Sequence, residues 1–168
     1  MTGNSPVDRS KLGTKRHVLT DKHGIPMSAV ITPASTHDIK AVTDVIDNAV
    51  VKKKQPKSYA SVTKTKTIKQ HLCLDRAYIS KGVEQEIIKR GYVPHMPHKR
   101  KRGEDKKDKD RAFQKRHRPR RRWVVERTNS WHNRFRKLFV RYEKKAENYL
   151  GLVQLSCSII IYRKIVLG

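Results

Sequence analysis

Asp75 closes a short apolar stretch, His71-Leu72-Cys73-Leu74-Asp75, and Glu126 lies in a basic, helix-forming run, Arg122-Trp123-Val124-Val125-Glu126-Arg127. Carboxylate oxygens are hard ligands that suit Mg²⁺ or Mn²⁺. An acid at the carboxyl end of a strand and another on a packed helix can hold two such ions about 4 Å apart against a phosphate. One ion activates a water or a 3′-hydroxyl while the other steadies the leaving oxygen. A plainer use is also open, because Glu126 beside Arg122 and Arg127 can serve as an exposed salt-bridge partner on its helix.

The rest of the composition favours a polyanionic partner. Forty Lys and Arg stand against 15 Asp and Glu, a formal net charge of +25 that exceeds what solubility requires. Nucleic acid is the expected ligand, with catalysis on DNA and passive coating of a polyanion as the two competing functions. A membrane role is disfavoured, since the longest uncharged run, Asn148 to Tyr162, falls short of the roughly 20 residues a spanning helix needs and is closed by Arg163 and Lys164. Cys73 and Cys157 are the two cysteines and lack CxxC spacing, so both are expected to be buried thiols in a reducing, cytoplasmic and nucleoid-associated setting. Pro97 inside His95-Met96-Pro97-His98 and the lack of a nearby cysteine pair argue against zinc.

Positioning these groups takes a mixed α/β domain, and a chain of 168 residues with 36% hydrophobic content can bury one core. Residues 15–20 and 25–32 are predicted as a hairpin around Asp21-Lys22-His23-Gly24, with Gly24 supplying a positive φ and Asp21 bonding its own turn. A helix is predicted over 39–50, N-capped by Thr36 or Asp38. The strand ending at Asp75 precedes a helix over 83–90 that Gly91 stops, and a strand over 92–96 follows. Residues 52–70 and 97–122 read as basic loops. One helix is predicted over 123–142, burying Val124, Thr128, Trp131, Phe135 and Leu138 and turning Arg122, Glu126, Asn129, Asn133 and Lys137 outward. An apolar core helix is expected over 147–166.

Five blocks, in order, resemble the insertion-sequence-five transposase family. They are Pro6-Val-Asp-Arg-Ser-Lys-Leu-Gly-Thr-Lys-Arg-His17, Ala34-Ser-Thr-His-Asp38, Leu72-Cys-Leu-Asp-Arg-Ala-Tyr78, Arg122-Trp-Val-Val-Glu-Arg-Thr-Asn-Ser-Trp131 and Phe135-Arg-Lys-Leu-Phe-Val-Arg-Tyr-Glu143. The resemblance implies an RNase H-like domain, a central sheet with packed helices, whose Asp-Asp-Glu triad binds two Mg²⁺ or Mn²⁺ ions. Such an enzyme cuts at the terminal inverted repeats of its element and joins the 3′ ends to target DNA. Asp75 matches the second acid of the triad and Glu126 the third.

DNA contacts are expected from Lys99, Arg100, Lys101 and Arg102, from Arg120, Arg121 and Arg122, and from Arg127, Arg134 and Lys137. Where the family carries a basic residue seven positions after the third acid, this chain has Asn133, and Pro119 stands at a position normally held by Tyr. The family's first acid lies on a strand upstream of the Pro6 block, so the chain is expected to be a partial, single domain without that strand. It would be either a downstream frame that works when fused to an upstream product or the remnant of a decayed element. A homo-oligomer is implied by the pairing of two DNA ends, and the competing function is a non-catalytic DNA-binding protein or repressor derived from such an element.

Overall fold

A computed structural model describes residues 1–6, 9–51, 70–96 and 123–167. The chain divides into two compact units, Met1–Val50 with Pro119–Gly168, and Val51–Arg118.

In the first unit, β1 (Gly3–Asn4), β2 (Leu12–Thr20) and β3 (Pro26–Pro33) form an antiparallel sheet in that order. The predicted hairpin is present. Gly24 has φ +84° at its turn, and the pairing shifts register between Leu19 and Thr20, so that Leu19 faces Ser28 and Thr20 faces Pro26. The helix expected over 39–50 is shorter, a 3₁₀ turn Asp38–Ala41 leading into α1 (Val42–Asp47). Its cap also differs from the expectation. The His37 ring accepts from Ile39 N at 3.3 Å, whereas Asp38 pairs with Lys15 Nζ at 2.9 Å and so ties the segment to β2.

Trp123 to Phe139 form two helices rather than one, α3 (Trp123–Asn133) and α4 (Arg136–Phe139). Phe135 is extended between them, with ψ 106°, and packs against the core cluster of Ile31, Leu138, Tyr149 and Val153. Packing the half-buried ring against this cluster is the gain that offsets breaking the helix ladder. The long α5 (Ala146–Ile165) follows and packs on β3. It buries Tyr149, Val153, Ser156 and Ile160 but leaves Leu155, Tyr162 and Ile165 exposed, so it is a core helix along one stripe.

Arg141 joins the ends of this unit. Its guanidinium donates to the carbonyls of Met1 (2.8 Å), Glu143 (2.8 Å) and Lys144 (3.1 Å) and to the Thr14 hydroxyl, and it lies 5.1 Å from the Tyr149 ring.

The second unit holds a β-α-β arrangement. β4 (Gln70–Cys73) and β5 (Tyr92–His95) pair in parallel, and α2 (Lys81–Lys89) is the crossover between them. Gly91, at φ +76°, turns the chain from α2 into β5 as predicted. Leu72 is buried and its neighbours on β4 are exposed, which corrects the expectation of a buried Cys73. Strand alternation is the reason: with Leu72 turned inward, positions 71 and 73 must face out.

Candidate active site

Asp75 lies just beyond the carboxyl end of β4, the end of a parallel strand where α/β folds gather ligand-binding groups. Leu74 N donates to His95 O at 3.0 Å, extending the ladder past the last strand residue. Asp75 O then accepts from Tyr78 N at 3.1 Å, opening the 3₁₀ turn Arg76–Tyr78. The Asp75 side chain is half-buried, held where strand becomes turn. On the same strand, His71 Nδ1 lies 2.5 Å from His95 Nε2, so His95 is engaged with a histidine other than the one in its sequence motif; His98 lies outside the described residues.

Glu126 belongs to the first unit, in the opening turn of α3, where a negative side chain complements the helix dipole. It is exposed, as the sequence predicts. The buried stripe of α3 is Val124, Thr128 and His132, with Trp131 half-buried where the sequence places it in the core. Trp123, Arg127 and Trp131 form a second stripe at the same four-residue spacing. The Arg127 guanidinium sits 4.7 Å from the Trp123 ring and 5.0 Å from the Trp131 ring, and Lys164 approaches Trp131 at 5.2 Å.

The β2–β3 turn meets this helix. Asp21 Oδ1 accepts from His23 N and Ile25 N, each at 2.8 Å, so the acid forms the turn as predicted. The Arg127 guanidinium donates to His23 O, and the Thr128 hydroxyl donates to Gly24 O at 2.6 Å. At the far end of α3, Arg16 Nη2 donates to Asn133 Oδ1 at 2.6 Å, bringing a cation of β2 to a position where the sequence itself supplies none.

His132 is fully buried, and Cys157 Sγ lies 3.5 Å from its Nε2. Burial, reinforced by the Arg16 charge, pulls the His132 pKa down to about 4, and burial pushes the Cys157 thiol up to about 11. Both groups are therefore neutral near pH 7, a packed polar pair rather than a thiolate-imidazolium nucleophile.

Among the proposed DNA contacts, Arg134 and Lys137 are exposed, while Arg127 is half-buried and engaged as above. Lys99, Arg100, Lys101, Arg102, Arg120, Arg121 and Arg122 lie outside the described residues, as do the basic loops that carry them. Sequence reasoning placed Thr128 on the buried face, where it lies, but missed His132 and Arg16 as organising groups. The spacing Val124-Thr128-His132 was the available signal for His132, obscured because aromatic residues at 131 and 135 suggest a different inward face.

The family model of the transposase DDE domain matches residues 2–161. The chain belongs to this family. The putative transposase for insertion sequence element IS402 of Burkholderia cepacia is 27% identical over 168 residues, an alignment spanning 96% of this chain and 68% of that relative. No solved structure matches. The mixed α/β architecture of this DDE transposase domain, sheets with packed helices, agrees with an RNase H-like fold. Action on DNA is the family's common business and accords with a net charge of +25. No described helix is long and apolar enough to cross a membrane.

DDE domains generally use divalent metal ions. Asp75 and Glu126 each offer hard carboxylate oxygens of the kind such ions prefer. Among the described residues, no group of three or more His, Cys, Asp or Glu gathers closely enough to hold an ion.

Proposed function

We propose that this chain carries Asp75 and Glu126 as the second and third acids of an Asp-Asp-Glu transposase of the insertion-sequence-five group, which performs Mg²⁺- or Mn²⁺-dependent DNA strand cleavage and transfer at the terminal inverted repeats of its element. The observation that carries it is the exposure of Glu126 in the opening turn of α3, within a chain matched to the DDE family from residue 2 to 161.

In this reaction Asp75 and Glu126 offer oxygen ligands from a strand end and a helix start, two rigid supports. Bound divalent ions supply activation of the attacking oxygen and charge neutralisation at the scissile phosphate. Arg134 and Lys137, exposed beyond Glu126, hold the DNA backbone by charge. The basic runs Lys99–Arg102 and Arg120–Arg122 extend that contact, and a homo-oligomer brings two DNA ends together.

The test is cleavage of a duplex carrying the element's terminal repeat by the active transposase that contains this chain, with Mg²⁺ and with EDTA. Asp75→Asn and Glu126→Gln should each abolish cleavage while binding DNA in EDTA as tightly as the unsubstituted chain. Unchanged cleavage in both variants would remove the catalytic assignment and leave a DNA-binding protein.

A further inference from the structure

We propose that Thr128 and Arg127 are positioning residues for Glu126, an inference that rests on the catalytic assignment of Glu126 above. The two residues that immediately follow Glu126 reach two consecutive carbonyls of one turn, Arg127 to His23 O and Thr128 to Gly24 O at 2.6 Å. The buried stripe and the Arg16–Asn133 bond hold the body and far end of α3, and these two adjacent links set its rotation and height beside Glu126. Each residue along a helix advances about 1.5 Å and turns about 100°, so a slip of one position would swing Glu126 to another face.

The turn is suited to act as the anchor. Asp21 holds it from within through His23 N and Ile25 N, so its carbonyls are fixed by bonds that do not involve α3. Gly24 leaves room for the approach, because a Cβ there would stand 2.9 Å from Arg127 Nη2 and 3.1 Å from Thr128 Oγ1. Thr128 is fully buried, which shields its hydrogen bond from competing water. Arg127 is confined between the Trp123 and Trp131 rings, so its guanidinium is committed to the turn. Ligand geometry for a divalent ion tolerates displacements of only about 0.5 Å. A loosened α3 should therefore weaken metal use before it weakens anything else.

The experiment measures Mn²⁺ binding to the full chain by electron paramagnetic resonance, DNA affinity in EDTA, and thermal unfolding, for Thr128→Val, Thr128→Ser, Arg127→Met and Glu126→Gln. Thr128→Val keeps the shape and loses the hydroxyl; it should raise the Mn²⁺ half-saturation concentration about tenfold, and Thr128→Ser should restore it. Arg127→Met keeps an apolar group between the indoles and should raise the half-saturation similarly, while Thr128→Val, which removes no charge, should keep DNA affinity within about twofold of the parent. If Thr128→Val does not fold, Arg127→Met carries the test. Parental Mn²⁺ binding in the Thr128→Val and Arg127→Met proteins, beside impaired binding in Glu126→Gln, would overturn the positioning role alone. Loss of DNA affinity without a metal effect in Arg127→Met would make Arg127 a DNA contact and overturn it as well. Parental Mn²⁺ binding in Glu126→Gln would remove the metal assignment and this inference together.

Discussion

Cys157 Sγ lies 3.5 Å from Nε2 of the fully buried His132, and neither group carries charge at neutral pH. His132 holds a pKa of about 4 because burial, and then the Arg16 charge, disfavour its protonated form. The unfolded chain binds this proton near pH 6.5 and the folded chain near 4, so the contribution to stability is complete above about pH 6.5 and is lost as pH falls toward 4. Denaturant unfolding should show a loss of roughly 2 kcal/mol between pH 7 and pH 5 from this group. His132→Met should flatten that portion of the profile; a parental slope in the variant would assign the acid sensitivity elsewhere.

The same contact separates the two thiols. Cys157 is half-buried with its pKa raised to about 11, whereas Cys73 is exposed on β4. A thiol-reactive chromophore should label Cys73 rapidly in the native protein and Cys157 only on unfolding. Cys73→Ser should eliminate the fast phase, and a persisting fast phase would mean that Cys157 is accessible.

Gly24 combines a positive φ of +84° with the close approach of α3. Gly24→Ala adds a Cβ in a disfavoured backbone region against the Arg127 and Thr128 side chains. The expected cost is about 1–3 kcal/mol, read as a lower unfolding midpoint. A midpoint equal to that of the parent would show that the helix yields at no cost.

Arg141 spreads one guanidinium over three backbone carbonyls, the Thr14 hydroxyl and the face of Tyr149. Arg141→Lys keeps the charge but not the planar fork, so it should lower stability by about 1–3 kcal/mol without altering DNA affinity measured below its unfolding temperature. Reduced affinity with unchanged stability would instead place Arg141 on DNA.

With a net charge of +25, DNA affinity should fall steeply with salt. Neutralising the exposed Arg134 and Lys137 together should reduce the slope of log K against log salt by up to about two and weaken all duplex sequences alike. A loss restricted to one sequence would make these residues base readers.

Local signals carried much of this structure. Gly24 and Gly91 mark the turns because positive φ is a property of the residue itself, and Asp21 forms its turn with neighbours only two and four positions away. The short strand before Asp75 and the long C-terminal helix were equally legible, since strand and helix each repeat over few residues. The charge that points to DNA needs no fold at all.

Tertiary structure decided what depends on partners far along the chain. Thr128 meets Gly24 across 104 positions and Arg16 meets Asn133 across 117, and no periodicity encodes either pairing. The inward face of α3 turned to His132 in place of Trp131, and the helix stopped before Phe135, because packing against β2, β3 and α5 outweighs the continuous stripe suggested by the sequence. Cys73 faces outward for the same kind of reason: its apolar setting was visible in the sequence, but which side of β4 would be covered was settled by the burial of Leu72. The types and order of residues thus determined the elements and the chemistry available to them. Only packing between distant segments decided which faces were buried and which turn anchors the helix of Glu126.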